Sequence, residues 1–219
     1  MLASKLTYGE ANHAEVRAHS RHGRPRPGAI LMSGREGDVF GNALGELGAV
    51  LSRVDQGAVD QACRMLANAR RIAVYGCGRE ALQMKGFAMR LFHLGLPVSV
   101  VGDMTAPALG ERDVFFASSG PGETATVLAL MKVAHGARAK NLLVTAQPKA
   151  SAADLADFML VVPAQTRADD QGTARTSVLP MGSVFEGALF LLFEIMVLKL
   201  KDMLDVSPEA MRARHTNME

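Results

Sequence analysis

Tryptophan is absent from this chain of 219 residues, and tyrosine occurs only twice. The aromatic platforms on which unpaired bases stack are therefore missing. Net charge is almost absent as well. Lys and Arg number 24 against 22 Asp and Glu, leaving +2, so nothing in the charge balance demands nucleic acid or an acidic partner. Cysteine is scarce: Cys63 and Cys77 form no Cys-x-x-Cys pair, and two thiols in a chain of this length fit a reducing compartment. There is no His-Glu-x-x-His run, EF-hand loop or Cys/His cluster, so no metal site is expected. Long apolar runs are lacking too. The longest, Ala188 to Leu198, is broken by Glu194 and is too short to span a bilayer. The opening residues contain no apolar stretch of the kind that directs secretion. Together these absences point to a cytoplasmic protein that engages neither membrane nor nucleic acid.

What the chain does have is apolar content, 48% of its residues, enough for a full core in one domain. Residues 1–37 stand apart. His13, Arg17, His19, Arg21, His22, Arg24 and Arg26 crowd around Pro25 and Pro27 without a hydrophobic period. They read as a flexible basic extension, with Met32 as a second candidate for the first residue. From Val39 the pattern is helical: Val39, Phe40, Ala43, Leu44, Leu47, Val50 and Leu51 recur at spacings of three and four. Asp55 can cap a second helix to about Ala69, with Val59, Ala62, Cys63, Leu66 and Ala67 inward. Apolar runs at 71–75, 97–101, 113–117, 141–145 and 158–162 then alternate with helical segments, the last of these short and capped by Ser151. Continuous apolar strands separated by helices predict an α/β fold with a parallel sheet covered on both faces. Residues 163–180 read as a polar loop too long to be idle. The helix predicted from Ser183 to about Asp205 is apolar on most of its circumference, so burial on all sides is expected, in part by a partner subunit. Ser207 caps a last short helix.

In parallel sheets, ligands bind beyond the carboxyl ends of the strands, and two Gly-rich turns fall there. The strand at 113–117 runs into Ser118-Ser-Gly-Pro-Gly-Glu-Thr124 and then a helix. The helix's first N–H groups, its dipole and the hydroxyls of Ser118, Ser119 and Thr124 make this a turn that can hold a phosphate. An ordinary capped turn without a ligand fits the spacing equally. Gly76-Cys-Gly-Arg-Glu-Ala81 satisfies the dinucleotide pattern G-x-G-x-x-A. The acid that pattern requires after the second strand is matched only loosely by Asp103, which argues against a nicotinamide cofactor. Arg79 can hold a phosphate or an acidic neighbour. Glu186, between Phe185 and Phe190, gains a raised pKa if desolvated, which suits proton transfer; otherwise it is a helix-start acid stabilised by the dipole. Glu194 is a second carboxylate or the partner of an arginine, and His93 reads as a hydrogen-bonded core or interface histidine.

With these residues in view, the chain resembles the sugar isomerase (SIS) domain family, most closely its 6-phospho-3-hexuloisomerase branch. The resemblance rests on Gly76-x-Gly-Arg79, Phe87-Ala-Met-Arg-Leu-Phe-His-Leu-Gly95, Val101-Gly-Asp-Met-Thr-Ala-Pro107, the turn at 118–124, Pro180-Met-Gly-Ser-Val-Phe-Glu186 and the tail Arg214-His-Thr-Asn-Met-Glu219. It implies one domain over 38–219, a three-layer α/β/α sandwich with a five-stranded parallel sheet, and a dimer or tetramer with active sites at subunit boundaries. It also implies a cofactor-free isomerase that interconverts 3-hexulose 6-phosphate and fructose 6-phosphate. By the same resemblance Glu186 is the base, and His215 supports it from a neighbouring subunit's tail. Gly76, Gly78, Arg79, Ser118, Ser119, Gly120, Gly122 and Thr124 bind the phosphosugar. Two positions depart from the family. Glu80 and Pro121 stand where serines are usual, which opens two alternatives: a different sugar phosphate, or a binding module without turnover. A carboxylate at position 80 repels a phosphate unless it turns away or is paired, with Arg79 as the candidate partner.

Overall fold

The first described helix opens where a carboxylate collects backbone N–H groups, and the computed structural model describes residues 38–218. The basic extension read at 1–37, and with it the alternative start at Met32, lies outside the described residues. Asp38 accepts the N–H of Gly41 at 2.6 Å and starts α1 (Val39–Leu51). Asp55 accepts those of Gly57 and Ala58 at 2.8 and 3.2 Å and starts α2 (Gln56–Ala67). Then come β1 (Ile72–Tyr75), α3 (Arg79–His93), β2 (Val98–Val100), β3 (Val114–Ser118), α4 (Ala125–Gly136), β4 (Lys140–Thr145) and β5 (Phe158–Val161). The long helix α5 (Ser183–Met203) and the short α6 (Pro208–Ala213) close the fold, α6 capped by Ser207 as the sequence indicates.

The five strands pair in parallel in the order β2-β1-β3-β4-β5. Side chains alternate across the pleat. Ile72, Val74, Val114, Phe116, Leu142, Val144 and Leu160 join the core beneath α1, α2, α3 and α5. Ala73, Phe115, Ala117 and Leu143 pack under α4. The result is the expected three-layer α/β/α sandwich. At the junction of α3, α5 and β3, the rings of Phe87 and Phe193 stack 4.6 Å apart, and each meets Phe116 edge-on at 5.9 Å. Such pairs stabilise by ~0.5–1.5 kcal/mol beyond the area they bury. Asp113, fully buried just before β3, accepts two bonds from Arg70 at 2.9 and 2.7 Å and the N–H of Gly110 at 2.7 Å. The Arg70 guanidinium holds its carboxyl below the usual range despite the opposing effect of burial.

One expectation changes and two are refined. Ser151 does not cap a helix: its N–H and hydroxyl both donate to Glu123 at 2.7 and 3.0 Å, and the helical segment is a single 3-10 turn at Ala153–Leu155. On α1 only Val50 is buried, while Val39, Phe40 and Leu44 are exposed. On α5 a single face is covered within the chain. Val184, Phe185, Ala188, Leu189, Leu192, Phe193, Met196, Val197 and Leu200 point inward, whereas Phe190, Leu191, Ile195 and Leu198 are exposed. A helix on the outside of a sandwich can bury only one stripe against its own chain.

Candidate functional site

At the carboxyl edge of the sheet, β1 and β3 are neighbours whose onward connections diverge, β1 toward β2 and β3 toward β4. That switch point opens a crevice where open α/β sheets hold their ligands. Here it is a cavity of about 420 Å³. Its walls are Cys77, Gly78, Arg79 and Glu80 after β1, Pro121 and Thr124 after β3, Thr166 and Arg167 after β5, and Pro180–Ser183, Phe185 and Glu186 at the start of α5.

Three helices begin on this cavity, and none carries a side-chain cap: α3 at Gly78, α4 at Thr124 and α5 at Gly182. The helices that begin elsewhere, α1, α2 and α6, are each capped by Asp38, Asp55 and Ser207. The first N–H groups of a helix have no partner within it, and the dipole places partial positive charge beside them. Three uncapped starts converging on one cavity make it suited to an anion. Thr124 spends its hydroxyl on Ser119, Oγ to Oγ1 at 3.0 Å, instead of capping α4.

Two carboxylates face this positive end. Glu186 is 13% exposed, and its Oε2 lies 2.5 Å from Arg79 Nε. The pair is ionic in character, because no donor points in line at Oε2. Burial raises the Glu186 pKa, and the Arg79 guanidinium pulls it partly back. Arg79 therefore holds the acidic neighbour Glu186 and leaves Glu80 unpaired with it. Glu80 instead turns into the β3 turn. Its Oε2 accepts the Ser118 hydroxyl at 2.5 Å, and both its oxygens lie 3.1 Å from the Gly120 nitrogen. Burial raises the Glu80 pKa, the Ser118 and Gly120 bonds oppose that, and the charge of Glu186 adds to it.

Of the residues singled out in the sequence, Gly78, Arg79, Thr124 and Glu186 line the cavity, as do the two departures Glu80 and Pro121. Ser118, Ser119 and Gly120 are buried behind Glu80 and Thr124. Gly122, at φ 70°, and Gly76, packed against the backbone at Glu80 and Ala81, shape the two turns. His215 is exposed on the tail, its ring 5.2 Å from that of His93, and is not among the lining residues. Asp103 is likewise exposed and away from the cavity. Arg90 is the arginine that pairs with Glu194, at 3.5 Å.

Sequence reasoning marked the 163–180 loop as more than idle but did not name Thr166 or Arg167, which line the cavity. The segment is folded on itself by Gln165, whose amide donates to the carbonyls of Asp169 and Ala174 and accepts the N–H groups of Thr176 and Ser177. Glu46 of α1 ties it down through Ser177 and Val178 at 2.5 and 2.8 Å. The segment ends with Met181 and Gly182 both left-handed, at φ 56° and 77°, the Met181 N–H held by Asp170. A methionine rarely adopts that conformation, so the strain there is supported by the surrounding bonds. A Cβ on Gly182 would lie 2.3 Å from the Arg167 nitrogen, so only glycine lets the start of α5 reach the loop. The Pro180-Met-Gly sequence was the available signal.

Fold and site together define an open α/β protein with a cavity at its topological switch point whose uncapped helix starts suit an anion. The profile of the SIS domain family matches residues 65–191, and the chain belongs to that family. It is 34% identical over 80% of its length, and 96% of the relative's, to a 3-hexulose-6-phosphate isomerase of Methylomonas aminofaciens. It is 32% identical, over 80% and 95%, to a 3-hexulose-6-phosphate isomerase of Bacillus subtilis. A hypothetical protein of Methanococcus jannaschii, for which that molecular function has been inferred, shares the fold with a TM-score of 0.71 at 22% identity. That match covers 82% of this chain and 98% of the other. Among the described residues no helix is long and apolar enough to cross a membrane.

Proposed function

We propose that this protein is a phosphosugar isomerase that moves a carbonyl between C3 and C2 of a ketohexose 6-phosphate, interconverting 3-hexulose 6-phosphate and fructose 6-phosphate. The observation that carries the reading is Glu186, a desolvated carboxylate at the wall of a cavity onto which three uncapped helices open. The 3-hexulose-6-phosphate isomerases among its relatives supply the substrate class.

The chemistry is redox-neutral. Ionised Glu186 removes the proton from C2 of the 3-keto sugar, and the electron pair moves into a C2–C3 double bond while charge gathers on O3. Arg79, paired with Glu186, is placed to stabilise that enediolate. The O2 proton transfers to O3, the carbonyl forms at C2, and Glu186 returns its proton to C3. A raised pKa suits a group that must take and give back a proton near neutrality. The phosphate binds at the helix starts, with Thr124 and the first N–H groups of α4 as donors.

Self-association belongs to the same reading. Phe190, Leu191, Ile195 and Leu198 of α5 and Leu82, Met89 and Phe92 of α3 form exposed apolar stripes, which a second copy of the chain covers. His215, on the exposed tail, then supports catalysis in a neighbouring subunit's cavity.

The reading is tested by offering fructose 6-phosphate in deuterated water and following exchange at C3 of fructose 6-phosphate and C2 of its 3-keto isomer. Deuterium at C3 of fructose 6-phosphate, with appearance of the 3-keto isomer, is the expected result. Absence of exchange with this and every other hexose or pentose phosphate refutes an isomerase. One observation favours the second reading, a sugar-phosphate binder without turnover: Glu80 already fills part of the anion-binding turn. Tight binding by calorimetry with no exchange would establish it.

A further inference from the structure

Glu80 lies in the first turn of α3, yet its carboxylate is engaged across the crevice. Oε2 takes the Ser118 hydroxyl, and both oxygens share the Gly120 N–H. The next residue, Pro121, has no N–H to offer. The Ser119 N–H is bonded to Val144 O and that of Gly122 to Ser119 O, each at 3.0 Å, and the Ser119 hydroxyl is bonded to Thr124. The first half of the turn thus has no donor left for an incoming anion while Glu80 is in place.

The charges around Glu80 do not hold it there. On its own helix Arg79 pairs with Glu186. On α5, Glu186 carries the same sign and works against a second negative charge. From the 163–182 segment Arg167 stands at the cavity wall, exposed. In the β3 turn Glu123 is turned away to Ser151. Cys77, the remaining titratable group of the wall, lies beside Tyr75, its Sγ 3.6 Å from the hydroxyl. The one directly paired cation is taken by Glu186, and Glu80 keeps its position through neutral donors alone.

We propose that Glu80 is an internal anion that competes with the substrate's phosphate for the Ser118–Gly120 cradle and so sets the anion affinity of this site. This builds on the phosphosugar reading of the cavity. An incoming dianion binds the cradle only when Glu80 takes up a proton or swings out. A buried carboxylate beside a second one accepts that proton readily. Anion binding is therefore coupled to proton uptake, and affinity falls as pH rises and Glu80 ionises. A glutamate at position 80 weakens the hold on phosphate and favours a ligand that brings hydroxyl donors to this end of the cavity.

Sulfate is the probe, because its charge does not change between pH 5 and 8. Calorimetric titration of the intact protein is expected to show sulfate binding more tightly at pH 5 than at pH 8. Glu80→Gln is expected to bind at least about tenfold more tightly than the parent protein at pH 8, about 1.4 kcal/mol, with the pH dependence removed. Glu80→Ser, a smaller side chain that restores a hydroxyl, must change affinity in the same direction, and it stands in should the glutamine variant fail to fold. A flat parent profile overturns the proposal, as does a pH dependence that persists in Glu80→Gln and so belongs to another group. Variants that bind no tighter than the parent overturn it equally. Sulfate binding is read without turnover. A protein that shows this linkage but exchanges no deuterium refutes the isomerase and leaves the role of Glu80 standing, and an active isomerase with no linkage does the reverse.

Discussion

Replacing Glu186 by glutamine separates a proton-transferring carboxylate from a merely structural one, because the two roles predict opposite balances of stability and rate. Glutamine keeps the size and shape of the side chain. Its loss of charge leaves Arg79 unpaired, but that guanidinium is 67% exposed and remains hydrated. No in-line hydrogen bond to Oε2 is lost, and the like charge of Glu80 is relieved. Stability should therefore change by no more than ~0.5 kcal/mol, about 1–2 °C in melting temperature. A general base, by contrast, contributes roughly 10²–10⁴ in rate. At ~1.36 kcal/mol per decade that is ~2.7–5.4 kcal/mol on the barrier. The assay is deuterium exchange into fructose 6-phosphate under single-turnover conditions, with a melting curve recorded beside it. Exchange within about threefold of the parent protein refutes Glu186 as the base.

The pH profile adds an independent arm. The base must be ionised, burial raises its pKa, and Arg79 lowers it. Activity should therefore fail on the acid side at a pH above the ordinary carboxylate range. Unit charges ~4 Å apart interact by ~4 kcal/mol at an effective dielectric of ~20, and the exposure of Arg79 reduces this to ~1 kcal/mol. Arg79→Met should lower kcat/KM across the profile through loss of enediolate stabilisation, and in addition move the acid limb to higher pH, a further cost of about fivefold on that side. A limb that stays in place would show that Arg79 does not tune Glu186.

Three further outcomes follow from the packing. Arg70→Met leaves the buried Asp113 carboxylate with only the Gly110 N–H. It should lower stability at pH 7, less than for a wholly buried pair because Arg70 is half-exposed. Asp113's pKa is lowered in the folded protein, so that stabilisation is present above the ordinary carboxylate pKa and is lost as pH falls below it. The gap between parent and variant in urea midpoint should accordingly narrow toward acid pH, and a constant gap contradicts the assignment. Gly182→Ala should cost more than ~2 kcal/mol and abolish phosphosugar-induced thermal shifts, since a Cβ there collides with backbone in a left-handed conformation. Ile195→Arg on the exposed stripe of α5 should leave a species sedimenting near the 23.3 kDa chain mass, whereas the parent sediments as a multiple of it. A monomeric parent would remove the apolar stripes as an interface.

The sequence by itself determined the order and type of the main elements, because these depend on local periodicity and caps. Apolar runs of four to six residues are strands, and Asp55 and Ser207 cap helices wherever they fold. It also determined that Gly78, Arg79 and Thr124 would meet at one edge of the sheet, because parallel strands all deliver their following turns to the same side, whereas Glu186 was joined to them only by the family resemblance. Only the tertiary structure decided how the charges pair. Arg79 and Glu80 are adjacent in sequence, yet one reaches α5 and the other the β3 turn, since successive helical residues point roughly 100° apart. Only it showed which stripes of α1 and α5 the chain leaves uncovered, because periodicity marks an apolar face and says nothing about how much of it one subunit can reach. The loop from 163 to 182 was the least legible part. Its order comes from Gln165, Glu46 and Asp170 bonding backbone groups distant in the chain or held in left-handed geometry, and such bonds have no sequence period.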